Sequence, residues 1–324
     1  MVLPEHKSDE KSAIDIPDEK VIGPNELFYD KKQSLASSFT SDSTEDIGNQ
    51  VDGYFADLEW SEEEEKRVLW IIDTRLMPFF LLMTFVLNMD RTNISNAISD
   101  NLPADLGFNM TGVNTGTLVH SIVFTVITLV TQPVVKRVGA HIWIPILMFS
   151  WAIVTWAHAL VHDFNGFIAV RFFIAFTEAG FIPACLYYLQ AWYKTNELAT
   201  RLSWFWALQS FASAFSGLIL FGIFRLAGVG GLYGWKWLFI IDGILTHVVG
   251  FISIFYIPSS PFYTSGQLRG KGGWFTERQS QIAVTRIVRD DLTKADQKSR
   301  ISWHDIKISL LDTRLWTHLV ICFA

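Results

Sequence analysis

Cysteine is almost missing from this sequence: Cys185 and Cys322 are the two among 324 residues. One lies in an apolar stretch and one near the end, which excludes a disulfide scaffold and leaves the redox compartment unread. Charge is scarce too. Asp, Glu, Lys and Arg make up 18% of the chain, while 50% is hydrophobic and 15% aromatic. A soluble domain carries roughly 25% charged residues. The sequence has no glycine-rich nucleotide loop, no zinc-ligand spacing and no nucleophile elbow. It therefore calls for no metal, no cofactor and no enzyme chemistry, and nothing in it points to nucleic acid. The apolar runs do not alternate and are too long for strands.

What charge there is divides unevenly. Residues 1–65 hold 18 Asp and Glu against 5 Lys, a balance of −13; residues 66–324 hold 14 against 21 Lys and Arg, a balance of +7. The first segment is too poor in large apolar residues to offset ordering entropy, so it reads as a disordered acidic tail. With neither an apolar core nor a basic start, it is no signal peptide.

Beyond the tail, SEEEEKRVLWIIDTRLM at 61–77 has the pattern of a helix start, with Ser61 and Glu64 spaced as a capping box. Six apolar spans follow, near 76–99, 114–135, 142–160, 165–189, 203–225 and 236–257. Each is long enough to cross a ~30 Å hydrocarbon core. The expected fold is an all-α six-helix transmembrane bundle over 66–257, then a linker at 258–312. The stretch 313–324 reads as the start of a seventh span, too short to cross a bilayer.

Loop charge gives an orientation. Lys66, Arg67 and Arg75 precede span one, and the loops carrying Lys136, Arg137, Lys194 and Arg201 share its side. The loops at 100–113 and 161–164 contain no Lys or Arg, and 226–235 has them at its edges alone. This alternation predicts a cytosolic N-terminus. The sequon Asn109-Met110-Thr111 falls in an external loop, where it predicts glycosylation at Asn109; chance occurrence is the competing reading.

Ionisable residues inside spans are functional candidates, because hydrocarbon penalises them. Span one carries Asp90, Arg91, Asn93 and Asn96; span four carries Arg171 and Glu178 on one face. By rise per residue, Arg91 and Arg171 lie ~22 and ~25 Å from the inner ends of their spans. Two guanidiniums at matched height can converge on one carboxylate. Glu178, ~10 Å along the axis from Arg171, is a candidate proton carrier. Arg171 and Glu178 can equally serve bonds that fix the bundle, and Asp90 a helix contact. His120 and His247 stay open between packing and proton relay, and Asp242 between outer gate and packing.

DRTNISNA (Asp90 to Ala97) resembles the first-span signature of the fungal allantoate permease family, anion:cation symporters of the major facilitator superfamily. RFFIAFTEAGFIPACLYYLQAWY (Arg171 to Tyr193) resembles its fourth-span signature, GWKWLFIIDG (Gly234 to Gly243) its sixth-span motif, and GWFTERQSQIAVTRIVRDD (Gly273 to Asp291) its central linker. The loop QPVVKRVGAH keeps the superfamily's basic pair and Gly139 but lacks its acidic residue. The resemblance implies a twelve-span fold of two six-helix halves, of which this sequence supplies the first half. It implies proton-coupled uptake of a small organic anion such as allantoate, nicotinate or pantothenate across a fungal plasma membrane. Arg91, Asn93 and Arg171 would bind the carboxylate, with Glu178 coupling the proton. The alternative is a non-transporting fragment or nutrient sensor that binds a carboxylate. A seven-span receptor would need an external N-terminus.

Overall fold

The computed structural model describes residues 51–291 and Lys294. Most of the expected acidic tail and the expected start of a seventh span lie outside these residues. Among the described residues six helices are long and apolar enough to cross a membrane, and the chain is a multi-pass membrane protein.

Helix α1, Glu62–Ser99, runs 38 residues. Its start is the expected capping box: the Ser61 hydroxyl accepts from Glu64 N at 3.2 Å, and Ser61 N donates to Glu64 Oε2 at 3.0 Å. At 1.5 Å per residue α1 is ~57 Å long, so it overshoots a bilayer core. Helices α2 (Met110–Val138) and α3 (Ala140–Ala159) are separated by Gly139 alone. Gly139 has φ +90°, a conformation that L side chains rarely adopt, which explains why glycine holds this corner.

The fourth span, expected as one helix over 165–189, is two: α4 (Phe164–Glu178) and α5 (Phe181–Gln190). The cause is Pro183, which has no N–H to give the carbonyl four residues back, that of Ala179. Thr128 Oγ1 of α2 donates to that freed oxygen at 2.9 Å. A hydroxyl from a neighbouring helix is the usual way such a carbonyl is satisfied in hydrocarbon. Helices α6 (Thr195–Ile223) and α7 (Gly234–Tyr256) complete the bundle.

The linker contains α8 (Glu277–Asp290), capped by Thr276, whose N–H donates to Gln279 Oε1 at 3.0 Å. Ile282, Ala283, Ile287 and Val288 are buried, so its apolar face is docked.

Two apolar clusters hold the bundle. One takes Val68 through Leu87 of α1 with Trp151, Phe181, Tyr188 and Trp192. The other takes Ala97 of α1 with Phe167, Trp235 and Phe239. Between them α1 carries the polar run Asn88, Asp90, Arg91 and Asn93, which sets the level of the site.

Candidate functional site

A cavity of about 420 Å³ opens at this polar level. Asp90 and Arg91 from α1, His120 and Phe124 from α2, and Arg171 and Glu178 from α4 line it, with His158 and Phe239 on further walls. The two arginines expected at matched height thus face one cavity, large enough for a small organic anion.

Their partners differ. Arg91 Nε donates to Glu178 Oε1, an ion pair bridging α1 and α4. The Arg91 guanidinium also lies 5.5 Å from the Phe124 ring centroid. Within α4 the rise does keep Glu178 from Arg171, and the cation that Glu178 meets comes from another helix, an interhelical bond of the kind left open beside proton carriage. Glu178 is also the last residue of α4, next to the break that Pro183 imposes.

Arg171 is buried, and its Nε lacks an acceptor among the described residues. Its position depends on Gly116 of α2, where a Cβ would meet the Phe167 ring at 2.5 Å and Arg171 Cγ at 3.3 Å. The missing side chain lets α2 and α4 approach, which brings Arg171 and His120 to one wall.

Asn93, expected to bind substrate, faces away from this cavity's lining. It is 1% exposed, and its Nδ2 donates to Asp242 Oδ2 of α7 at 2.7 Å. It stands two positions on from Arg91, about 200° around a helix, so the two cannot share a face. Asp242 is therefore a buried helix-to-helix partner, with Oδ1 lacking a donor among the described residues. Asp90 both lines the cavity and accepts from Thr155 Oγ1 of α3 at 3.2 Å. His247 Nδ1 accepts from Trp156 Nε1 at 3.2 Å, away from the cavity lining.

His158 was not singled out by sequence. Its Nδ1 lies 3.0 Å from the Val154 carbonyl, and its ring stacks on Phe239 at 4.5 Å between centroids. Its sequence signal was a polar residue ending an otherwise apolar span.

Asn109 is exposed and is the N-cap of α2, its Oδ1 accepting from Thr111 N at 3.0 Å and Gly112 N at 3.3 Å. Capping gives this asparagine a structural role whatever its modification.

A family model described as Major Facilitator Superfamily matches residues 80–324. "Uncharacterized transporter YIL166C" of Saccharomyces cerevisiae is 32% identical over 79% of this chain and 48% of its own length. "MFS transporter prlL" of a fungal species is 28% identical over 84% of this chain and 54% of its own. "Putative tartrate transporter" of Agrobacterium vitis is 28% identical over 80% and 57%. The chain spans about half the length of the curated relatives it matches.

Proposed function

The chain belongs to the major facilitator superfamily, and from that premise we propose that it works in proton-coupled transport of a small organic carboxylate, as an anion:cation symporter of the allantoate permease kind. The observation that carries this reading is Arg171: a buried guanidinium on a cavity wall whose Nε has no acceptor among the described residues. Such a group is costly unless an anion reaches it. A carboxylate matches its fork of donors. The tartrate in the name of the Agrobacterium vitis relative is a carboxylate as well.

The Arg91–Glu178 pair supplies a coupling step. An incoming carboxylate bound by Arg171 competes with Glu178 for Arg91. When Glu178 takes a proton, Arg91 is released to join Arg171 on the substrate. When Glu178 loses the proton, it reclaims Arg91 and the substrate is held by one arginine. Proton and anion therefore travel together by exchange of one cation between two carboxylates.

Glu178→Gln, which mimics the protonated state, tests this in a full-length transporter carrying the sequence. Accumulation driven by a pH gradient is expected to vanish, while counterflow of preloaded substrate persists, because both arginines still hold the anion. Gradient-driven accumulation by a normally expressed Glu178→Gln protein would move the proton elsewhere, with Asp242 the next carboxyl to test.

A further inference from the structure

A second hollow lies apart from the transport cavity and shares no lining residue with it. It measures about 510 Å³ and runs between the first turns of α3 and the last turns of α7. Ile142, Ile146, Phe149 and Ile254 line it, and Arg269, Ser259 and Ser265 from the segment after α7 line it as well.

The turn that carries Arg269 is built for it. Gly266 N donates to Gly270 O, and Arg269 N to Gly266 O, each at 3.2 Å. A Cβ on Gly266 would lie 2.5 Å from Arg269 Nε, so glycine leaves room for the guanidinium to fold back over the turn. There Nε and Nη1 are buried with no acceptor among the described residues. An arginine keeps its charge, so the lining of the hollow has a cation without a matching anion among the described residues.

The sides point to the form the anion takes. Ile142, Ile146 and Ile254 are each nearly half exposed on the outside of two membrane-spanning helices. Their surroundings there are hydrocarbon, so the hollow has an apolar wall along the acyl region and a cation at the helix ends. Leu268 of the same turn and Tyr263 just before it are exposed, residues that suit the headgroup level. We propose that this hollow binds an anionic phospholipid, its phosphate on Arg269 and one acyl chain along α3 and α7. A soluble phosphate would satisfy the guanidinium but leave the isoleucine walls uncovered, which is why the observations favour the lipid. Basic pockets at helix ends are a recurrent solution for lipid headgroups.

Native mass spectrometry of the full chain tests this, with phosphatidylglycerol, phosphatidylcholine and inorganic phosphate as probes. The wild type is expected to retain a phosphatidylglycerol adduct in preference to phosphatidylcholine. Arg269→Gln should weaken that adduct roughly ten-fold, the size of a lost charge-assisted contact. Ile146→Trp, which fills the wall and leaves Arg269 intact, should weaken it as well, and melting curves check that both variants are folded. Equal retention of the two lipids by the wild type would overturn the proposal. So would displacement of phosphatidylglycerol by equimolar inorganic phosphate, or an adduct unchanged in folded Arg269→Gln protein.

Discussion

Arginine meets carboxylate at two levels of this molecule, and the levels differ in how fully the charges are matched. Where α8 docks, Arg286 is wholly buried and donates to Glu197 Oε1 at 2.9 Å, Glu197 Oε2 at 3.0 Å and the Trp192 carbonyl at 2.8 Å, while its Nε has no acceptor among the described residues. Arg201 holds both Asp73 oxygens, at 3.1 and 2.6 Å, and Tyr193 donates to the same carboxylate at 2.9 Å. In the cavity, Arg91 shares one contact with Glu178 while Arg171 Nε stays without an acceptor among the described residues. A nearly satisfied network favours one arrangement and holds elements together. An unsatisfied one leaves interaction free energy for a ligand to supply. The same chemistry thus acts as a fastener at one level and as a receptor at the other.

The largest effect should come from blunting the receptor level. Arg171→Lys or Arg91→Lys keeps the charge and loses the planar fork. Each is expected to cut carboxylate uptake by roughly 10- to 100-fold, the worth of a charge-assisted hydrogen bond. Thermal stability in detergent should move little for Arg171→Lys, since Arg171 Nε has no acceptor among the described residues to lose. Uptake left intact by either lysine variant at normal surface expression would erase the contrast between the levels.

The fastener level should show the opposite split. Glu197→Ala leaves Arg286 buried with the Trp192 carbonyl and with Glu65 at 3.7 Å. Breaking one side of a buried pair costs about 3 kcal/mol, so the melting temperature should fall while carboxylate affinity per folded molecule holds. Glu197 also caps α6, accepting from Lys194 N at 3.0 Å, and Glu197→Gln, which can keep that bond, should recover part of the loss. An unchanged melt would mean that α8 is held by its apolar face alone.

These two levels were unequally legible in the sequence. The spans were legible because hydrocarbon demands long apolar runs, and the cavity arginines because charge is so expensive there. Matched heights followed from rise per residue. Partners did not: Arg91 and Glu178 are 87 residues apart, and pairing over that distance depends on how α1 and α4 pack. Asn93 shows the limit of a motif. It stands two residues from Arg91 in DRTNISNA, yet helix geometry turns it toward α7. The break after Glu178 is legible in Pro183 and the bond it denies the Ala179 carbonyl, although the hydropathy runs unbroken across it. Nothing in the linker sequence separates Arg286 from Arg269; the folded chain shows the first nearly satisfied and the second not.

The smallest expected effect sharpens the fastener side and concerns Asp290. This carboxylate ends α8, where its charge opposes that helix's own dipole, but it sits at the start of α6, where charge of that sign is favoured. Its Oδ2 accepts from Thr195 N and Thr195 Oγ1, each at 2.9 Å, and from Lys294 Nζ at 3.1 Å. Burial alone would push the carboxyl up; the Thr195 and Lys294 contacts outweigh it and hold the group below its ordinary value of 3.8. A lowered folded value means the stabilisation is complete above the unfolded value and is lost as pH falls through the folded one. The pair lies at the edge of the fold, with the Asp290 and Lys294 side chains 20% and 13% exposed, and solvent screening keeps the contribution at about 1 kcal/mol. Hydrogen exchange of the α8 amides reads it. Asp290→Asn should lower protection by no more than about five-fold at neutral pH, and the two proteins should converge as pH drops below about 3.8. A difference that widened in acid would mean that the neutral carboxyl, and not the carboxylate, clasps Thr195, and the α8 clasp would no longer belong among the charge-matched fasteners.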